Sequence, residues 1–297
     1  MLRFRPAAVT ALLLAGGAVA LPASANEPAL RRAASAAPSP TTLRIMVTND
    51  DGVSSPGLAA LVDALQALPN VDVTVIAPAT NQSGTSDTFS TTPITVTPAT
   101  TANGDAATAV AGTPADTVLY GITTALAQPP HVVVSGTNFG QNLGTVTTLS
   151  GTVGAARTAN RLGVPAIATS AGIAGDMTTS YGVGANIAAA WVQFFRPFYE
   201  DESRTAQTLN VNIPTCVAGS VRGVVLVPLA QVSTVGSYTL SSGTIGNGVF
   251  QPQVINKNPI ATNIDCNQSG AAANNDIDAF AQGFVTLSVL NSDLDDR

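Results

Sequence analysis

The stretch from Leu43 to Pro78 leaves few folds open. It begins with "LRIMV", a short apolar run of strand type, and continues behind Pro56 with Leu58, Leu61, Val62, Leu65 and Leu68 at helical spacing. Ser54 or Ser55 suits the helix cap and Pro56 its first turn. "VDVTVIAP", Val71 to Pro78, then alternates β-branched residues with period two, the mark of a second strand. Strand, helix and strand within about 35 residues make a βαβ unit, which requires parallel pairing and a right-handed crossover.

The alternation persists. A helix is expected over "GTPADTVLYGITTAL", a strand over "HVVVSG", a helix over "SGTVGAARTANRLG", a strand over "PAIATS" and a helix over "GANIAAAWVQFFRPF". This predicts an α/β fold, Rossmann-like and doubly wound around a mostly parallel sheet, with ligands bound beyond the carboxyl ends of the strands. From about Thr208 the texture changes: "TLNVNIP", "VRGVVLVPLA", "SYTLSSGTI" and "FVTLSVL" are strand-like, with Gly, Ser and Asn between them. Residues 208–297 are therefore expected to form a β-rich C-terminal extension on an α/β core of residues 43–207, with "NQSGAAANNDIDA" as a loop. No repeat of the solenoid kind is present.

Upstream of this domain, residues 1–25 have the pattern of an export signal: Arg3 and Arg5, the apolar run "AAVTALLLAGGAVAL", and Ala23-Ser24-Ala25 as a small-residue cleavage site. The run is shorter than the roughly 20 residues of a spanning helix, so the expectation is a mature chain beginning near Asn26, periplasmic or extracellular, with no membrane contact after processing. Residues 26–42, rich in Ala, Pro and Ser without apolar periodicity, read as a flexible leader.

Charge narrows the partners. The chain has 12 basic and 18 acidic residues; loss of Arg3 and Arg5 leaves 10 against 18, a net charge of −8. Such a chain is a poor binder of nucleic acid polymers. Lys257 is its only lysine, so a site for a small phosphorylated molecule must use metal ions and backbone N–H groups instead. Cys216 and Cys266, in an exported chain, are candidates for a disulfide, with two separate buried thiols as the alternative.

The chemistry gathers at the strand ends. "NDDG" at Asn49–Gly52 could be a hairpin turn, but helical periodicity follows, so Asp50 and Asp51 fall at the carboxyl end of the first parallel strand. Paired hard oxygen ligands suit Mg²⁺, Mn²⁺ or Ca²⁺. "APATNQSG" brings Asn81 and Ser83 to the same edge, and "VVVSGTNFGQNLG" brings Asn138, with Asn142 nearby. Each taken singly is a polar loop using Asn and Gly for turn geometry; three converging loops point to a site. "SGTVGAA" then offers a helix start, with Ser150 as cap and the N–H groups of Gly151 and Thr152 as a phosphate seat.

Taken in order, "VTNDDGVSSPGL", "VIAPATNQSG", "AGTPADTVLYG", "VVVSGTNFGQNLG", "SGTVGAA", "LGVPAIATS", "LNVNIP" and "NNDIDAFAQGFVTLSVL" resemble the SurE family of metal-dependent 5′/3′-nucleotidases, also described as survival proteins and phosphatases. The resemblance implies one divalent ion held by Asp50, Asp51, Ser83 and Asn138, with Asp50, Asp51 and Asn138 as catalytic candidates. It also implies hydrolysis of nucleoside monophosphates and a homodimer or homotetramer assembled through the C-terminal extension. Two departures stand out: Thr145-Val146 occupies the place where the family usually carries an aspartate pair, and an export signal precedes a domain that many members keep inside the cell.

The rival readings separate on particular residues. A serine hydrolase would need a histidine near its nucleophile, but His131 starts the "HVVVSG" strand at its far end, and no G-x-S-x-G elbow is present. An exported protein that binds metal, phosphate or nucleotide without turnover is the alternative that Thr145 and Val146 support. Retention of all four expected ligands opposes it.

Overall fold

The computed structural model describes residues 41–173, 177–201, 203, 205–231, 238–239, 245–246, 249–250, 256–257 and 264–290. The expected export signal, and all of the expected leader except Thr41 and Thr42, lie outside the described residues. Among the described residues no helix is long and apolar enough to cross a membrane.

The elements in chain order are β1 (Leu43–Thr48), α1 (Pro56–Gln66), β2 (Val71–Pro78), β3 (Val96–Thr100), β4 (Ala106–Val110), α2 (Pro114–Tyr120), β5 (Val132–Phe139), α3 (Gly151–Arg161), β6 (Ala166–Ala171), α4 (Met177–Phe194) and α5 (Arg196–Tyr199). They continue with β7 (Thr208–Ile213), β8 (Cys216–Ala218), β9 (Val224–Leu226), the two-residue strands β10 (Tyr238–Thr239), β11 (Ile245–Gly246), β12 (Val249–Phe250), β13 (Asn256–Lys257) and β14 (Ile264–Asp265), then α6 (Asp276–Ala281) and β15 (Val285–Leu290).

Nine strands form one sheet in the order β3-β4-β2-β1-β5-β6-β7-β15-β9. The run from β4 to β7 is parallel throughout. Because β2 lies on one side of β1 and β5 on the other, the winding direction reverses at β1, which opens a crevice at its carboxyl end. Period-two alternation divides the core between two faces. Ile45, Val47, Val75, Val134, Ile167 and Val211 pack against Leu58, Leu61, Leu65 of α1 and Ala185, Ala188, Val192 of α4. Met46, Ile76, Val133, Ala166 and Ala168 face the other way, onto Val118 of α2 and Val153, Ala155, Ala156 and Ala159 of α3.

The expected β-rich extension from about residue 208 opens within the central sheet. β7 pairs in parallel with β6 along its whole length, and β15 adds antiparallel to β7, so both belong to the central sheet. Their apolar residues Leu209, Val211, Ile213, Val285 and Leu287 complete the α1–α4 core, which gives the physical reason for their place. The stretch "NQSGAAANNDIDA" is not loop throughout: Asn275 caps α6 by accepting from the Asp278 N–H, and Asp276 and Asp278 supply acidic groups to its first turn.

Cys216 and Cys266 are joined as a disulfide that ties β8 to β14, with Cα atoms 5.5 Å apart. Around it Ile264, Cys266 and Phe280 form a small apolar cluster with Leu143, a residue of the long loop that follows β5.

Candidate active site

Four segments leaving the carboxyl edge of the sheet enclose a cavity of about 300 Å³. Asp50 comes from the end of β1, Ser83 from the loop after β2, Asn138 from β5, and Asn142, Val146, Leu149 and Ser150 from the loop between β5 and α3. The local sequence explains each placement. Asn49 folds the "NDDG" turn back on itself: its side chain donates to the Gly52 carbonyl at 3.0 Å and to Ser55 Oγ at 2.7 Å, and accepts from the Gly52 N–H at 3.2 Å. The next loop is tied to this turn because the Gln82 N–H donates to the Asp50 carbonyl at 2.7 Å. At the end of β5 the register against β6 shifts between Ser135 and Asn138, a bulge that re-aims Asn138 at the cavity. The Asn138 amide nitrogen donates to the Gly140 carbonyl at 2.7 Å, which reserves its side-chain oxygen for another partner.

Asp50 is only 3% exposed. Burial, and then the negative charge of Asp51, push its pKa up from 3.8 to about 6, against hydrogen bonds from Thr152 that favour the charged form. The Thr152 hydroxyl donates to Asp50 Oδ1 at 2.6 Å. Gly151 is required beside it, because a Cβ there would lie 2.8 Å from the Asp50 Cβ. The start of α3, with its N-terminal partial positive charge, therefore abuts the carboxylate directly. Asp51 accepts from the Phe139 N–H at 3.0 Å and from the Asn81 amide at 3.4 Å, and burial raises its pKa as well. Tyr181 of α4 has its pKa pushed up to about 12 by burial and by the charge of Asp51.

Most of the residues expected from the sequence meet here, though not always in the expected part. Asp50, Ser83, Asn138, Asn142 and Ser150 line the cavity, and Asp51 is joined to it through the Phe139 N–H. Thr152 is fully buried and directs both hydroxyl and N–H to Asp50, so it orients the carboxylate. Asn81 turns its oxygen to the Ser83 N–H at 2.9 Å and its nitrogen to Asp51, and Ser150 caps α3 through the Val153 N–H at 3.2 Å. Thr145 points outward while Val146 forms part of the cavity wall, so the replacement of the aspartate pair falls inside the site at Val146 alone. His131 lies buried at the opposite edge of the sheet and accepts from the Arg44 N–H.

The sequence reading missed Asn49, Tyr181 and the role of Thr152. Asn49 sits beside the quoted aspartates and is fully buried, and a buried asparagine in a tight turn is the signal that could have found it. Tyr181 had none, being about 130 residues from Asp51 along the chain.

The charge of Asp51 adds to the cost of ionising Asp50, burial raises the cost for both, and among the described residues neither takes part in an ion pair. A cation is what such a pair lacks. Around Asp50 the available donors are neutral oxygens of Ser83 and Asn138, and among the described residues no third acid, histidine or cysteine stands with the two aspartates, which suits a hard divalent ion.

Comparison with known proteins gives the family. The family model described as "Survival protein SurE" matches residues 45–235. The chain belongs to this family. A 5′-nucleotidase SurE from Methanopyrus kandleri is 47% identical over 128 residues, 43% of this chain and 48% of that protein, so the chain spans about half the length of that relative. A 5′/3′-nucleotidase SurE from Escherichia coli O1:K1 is 36% identical over 182 residues, 61% of this chain and 68% of that one. The crystal structure of a SurE protein from Aquifex aeolicus superposes with a TM-score of 0.64 at 28% identity, covering 84% of this chain and 94% of its own.

Proposed function

We propose that this SurE protein is a metal-dependent hydrolase of phosphate monoesters, with nucleoside 5′/3′-monophosphates as its substrates. The observation that carries the reading is the buried Asp50 carboxylate, without an ion-pair partner among the described residues, on the wall of a cavity that it shares with Ser83, Asn138 and Asn142. The names of the relatives support the substrate class. Asp50, Asp51, Ser83 and Asn138 would hold one divalent ion, Mg²⁺ or Mn²⁺, with Ca²⁺ also suited to the donor set. When bound, that ion supplies positive charge that polarises a phosphoryl oxygen and acidifies water.

The chain's own residues do the rest. Thr152 fixes the rotamer of Asp50, and the Phe139 N–H fixes Asp51, so both carboxylates are preorganised. Asp51, the less buried of the two, is the carboxylate open to take the proton of an attacking water as general base. The water oxygen bonds to phosphorus as the ester oxygen departs in line and is protonated from solvent; this loose transition state requires mainly positioning and charge. Asn142 and Ser150, which share the cavity wall with Ser83, would contact the phosphate. Export to the periplasm or beyond, and a homodimer or homotetramer built through the C-terminal strands, complete the proposal.

Phosphate release from a panel of nucleoside monophosphates, with Mg²⁺, Mn²⁺ or a chelator, tests it. Turnover that requires the ion is expected. Ion binding without turnover on any substrate would replace this reading with that of a binding protein, in which Val146 stands where catalysis was lost.

A further inference from the structure

The loop between β5 and α3 supplies half of the cavity wall, yet its regular structure is one short 3-10 turn over Thr145–Thr148. Its shape is imposed by buried side chains that do not line the cavity themselves. Asp276, the first residue of α6, is fully buried, and its Oδ2 accepts from the Gly144 N–H at 2.7 Å. Its Oδ1 accepts from the N–H groups of Ala230 at 2.7 Å and Ile277 at 2.9 Å. One residue earlier, Leu143 packs into the cluster of Phe280, Ile264 and Cys266 that the disulfide closes. Two residues earlier, Asn142 is gripped through its backbone: Asn212 Oδ1 accepts its N–H at 2.7 Å, while Asn212 Nδ2 and Asn210 Nδ2 donate to its carbonyl at 3.0 and 2.8 Å.

We propose that Asp276 is a positioning residue of the active site: it holds Gly144, and through it Asn142 and Val146, in the geometry that receives phosphate, with Asn212 as the second anchor. The proposal rests on the phosphatase reading for its kinetic consequence only. Gly144 has φ 53° and ψ −139°, a conformation open to glycine alone, so the chain adopts it where outside contacts hold it there. A carboxylate is the group suited to the task, because all three of its neighbours are donors and it carries acceptors only.

The same inventory designs the test. In Asp276→Asn one acceptor becomes an NH₂ donor. Turned towards Ala230 and Ile277 it would lose two hydrogen bonds, and towards Gly144 only one, so the amide settles against Gly144 and unhooks the loop. The purified full chain carrying Asp276→Asn, or Asn212→Ser, is compared with wild type at 25 °C. Expected are a fall of about tenfold in kcat/KM for AMP and in affinity for inorganic phosphate, and faster hydrogen exchange at residues 142–149. The Mn²⁺ concentration for half-saturation should stay within about twofold, because Asp50 and Asp51 lie on other segments. A residue with a purely structural role would lower Tm and leave the phosphate affinity alone. Both variants binding phosphate and turning over within twofold of wild type would overturn the proposal. If Asp276→Asn does not fold, Asn212→Ser decides by itself. Should wild type show no turnover, the phosphatase reading fails, and phosphate affinity together with loop exchange still judges Asp276.

Discussion

Replacing Asp50 by Asn should stabilise the ion-free protein while removing its activity. The carboxylate is 3% exposed, and burial together with Asp51 raises its pKa from 3.8 to about 6. That difference of roughly two units, at 1.36 kcal/mol each, means that ionised Asp50 costs the native state about 3 kcal/mol above pH 7. Asn keeps an acceptor for the Thr152 hydroxyl but gives up one hydrogen bond, worth about 1 kcal/mol. The net gain is about 2 kcal/mol, or about 5 °C in Tm for a domain of this size. The sign follows from linkage. The folded state binds the proton more tightly than the unfolded chain, so the wild-type protein loses stability as pH rises from about 4 to about 6, and the loss is complete above that window. Scanning calorimetry in chelator at pH 8 and at pH 4 reads the effect: the variant melts higher at pH 8, and at pH 4 that advantage is gone and the variant melts slightly lower, by the lost hydrogen bond. With saturating Mn²⁺ the order should invert, because ligand stabilisation acts on wild type only. A variant that melts lower than wild type in chelator at pH 8, or a gap that does not shrink in acid, would refute the electrostatic reasoning.

Other perturbations have equally definite outcomes. Reducing the Cys216–Cys266 bridge, whose partners are 50 residues apart, removes about 4 kcal/mol in the chain-entropy model, so the reduced protein should melt well below the oxidised one. Gly154→Ala would drive a Cβ into the Ser86 carbonyl oxygen, so it should separate α3 from the loop after β2. That overlap should cost about 1–3 kcal/mol in a denaturant melt and should weaken substrate binding. In Thr152→Val the hydroxyl that orients Asp50 is lost at nearly constant volume; kcat should fall by about tenfold or more, and Tm by a few degrees, because a buried carboxylate oxygen loses its donor at a cost of about 1–3 kcal/mol.

How far the sequence reveals this molecule depends on the range of each interaction. The β1–α1–β2 unit is legible because its signals are periodic and local: the apolar spacing of Leu58, Leu61, Val62 and Leu65 and the alternation after Val71 each reflect one face of one element. The antiparallel pair β3–β4 escaped notice, since Pro98 and a run of Thr and Ala disguise an edge strand whose turn at Asn103-Gly104 is the only strong mark. The aspartates, Ser83 and Asn138 could be placed because every βα loop of such a fold opens on one edge. Their partners could not. Thr152 is 102 residues from Asp50, Asn212 is 70 from Asn142, and Asp276 is 132 from Gly144; only the tertiary structure brings each pair together. Thr152 shows the consequence most clearly, because as sequence it is one more N–H at a helix start and in space it is the group that aims Asp50.

The rate of phosphate release from AMP as Mn²⁺ is titrated, with wild type and Asp51→Asn side by side at pH 7.5, tests the central claim most directly. The account predicts a saturable rise for wild type, abolished by chelator, and a variant that keeps its fold but releases no phosphate at any Mn²⁺ concentration. Equal rates in the two proteins, or a wild-type rate indifferent to chelator, would contradict it.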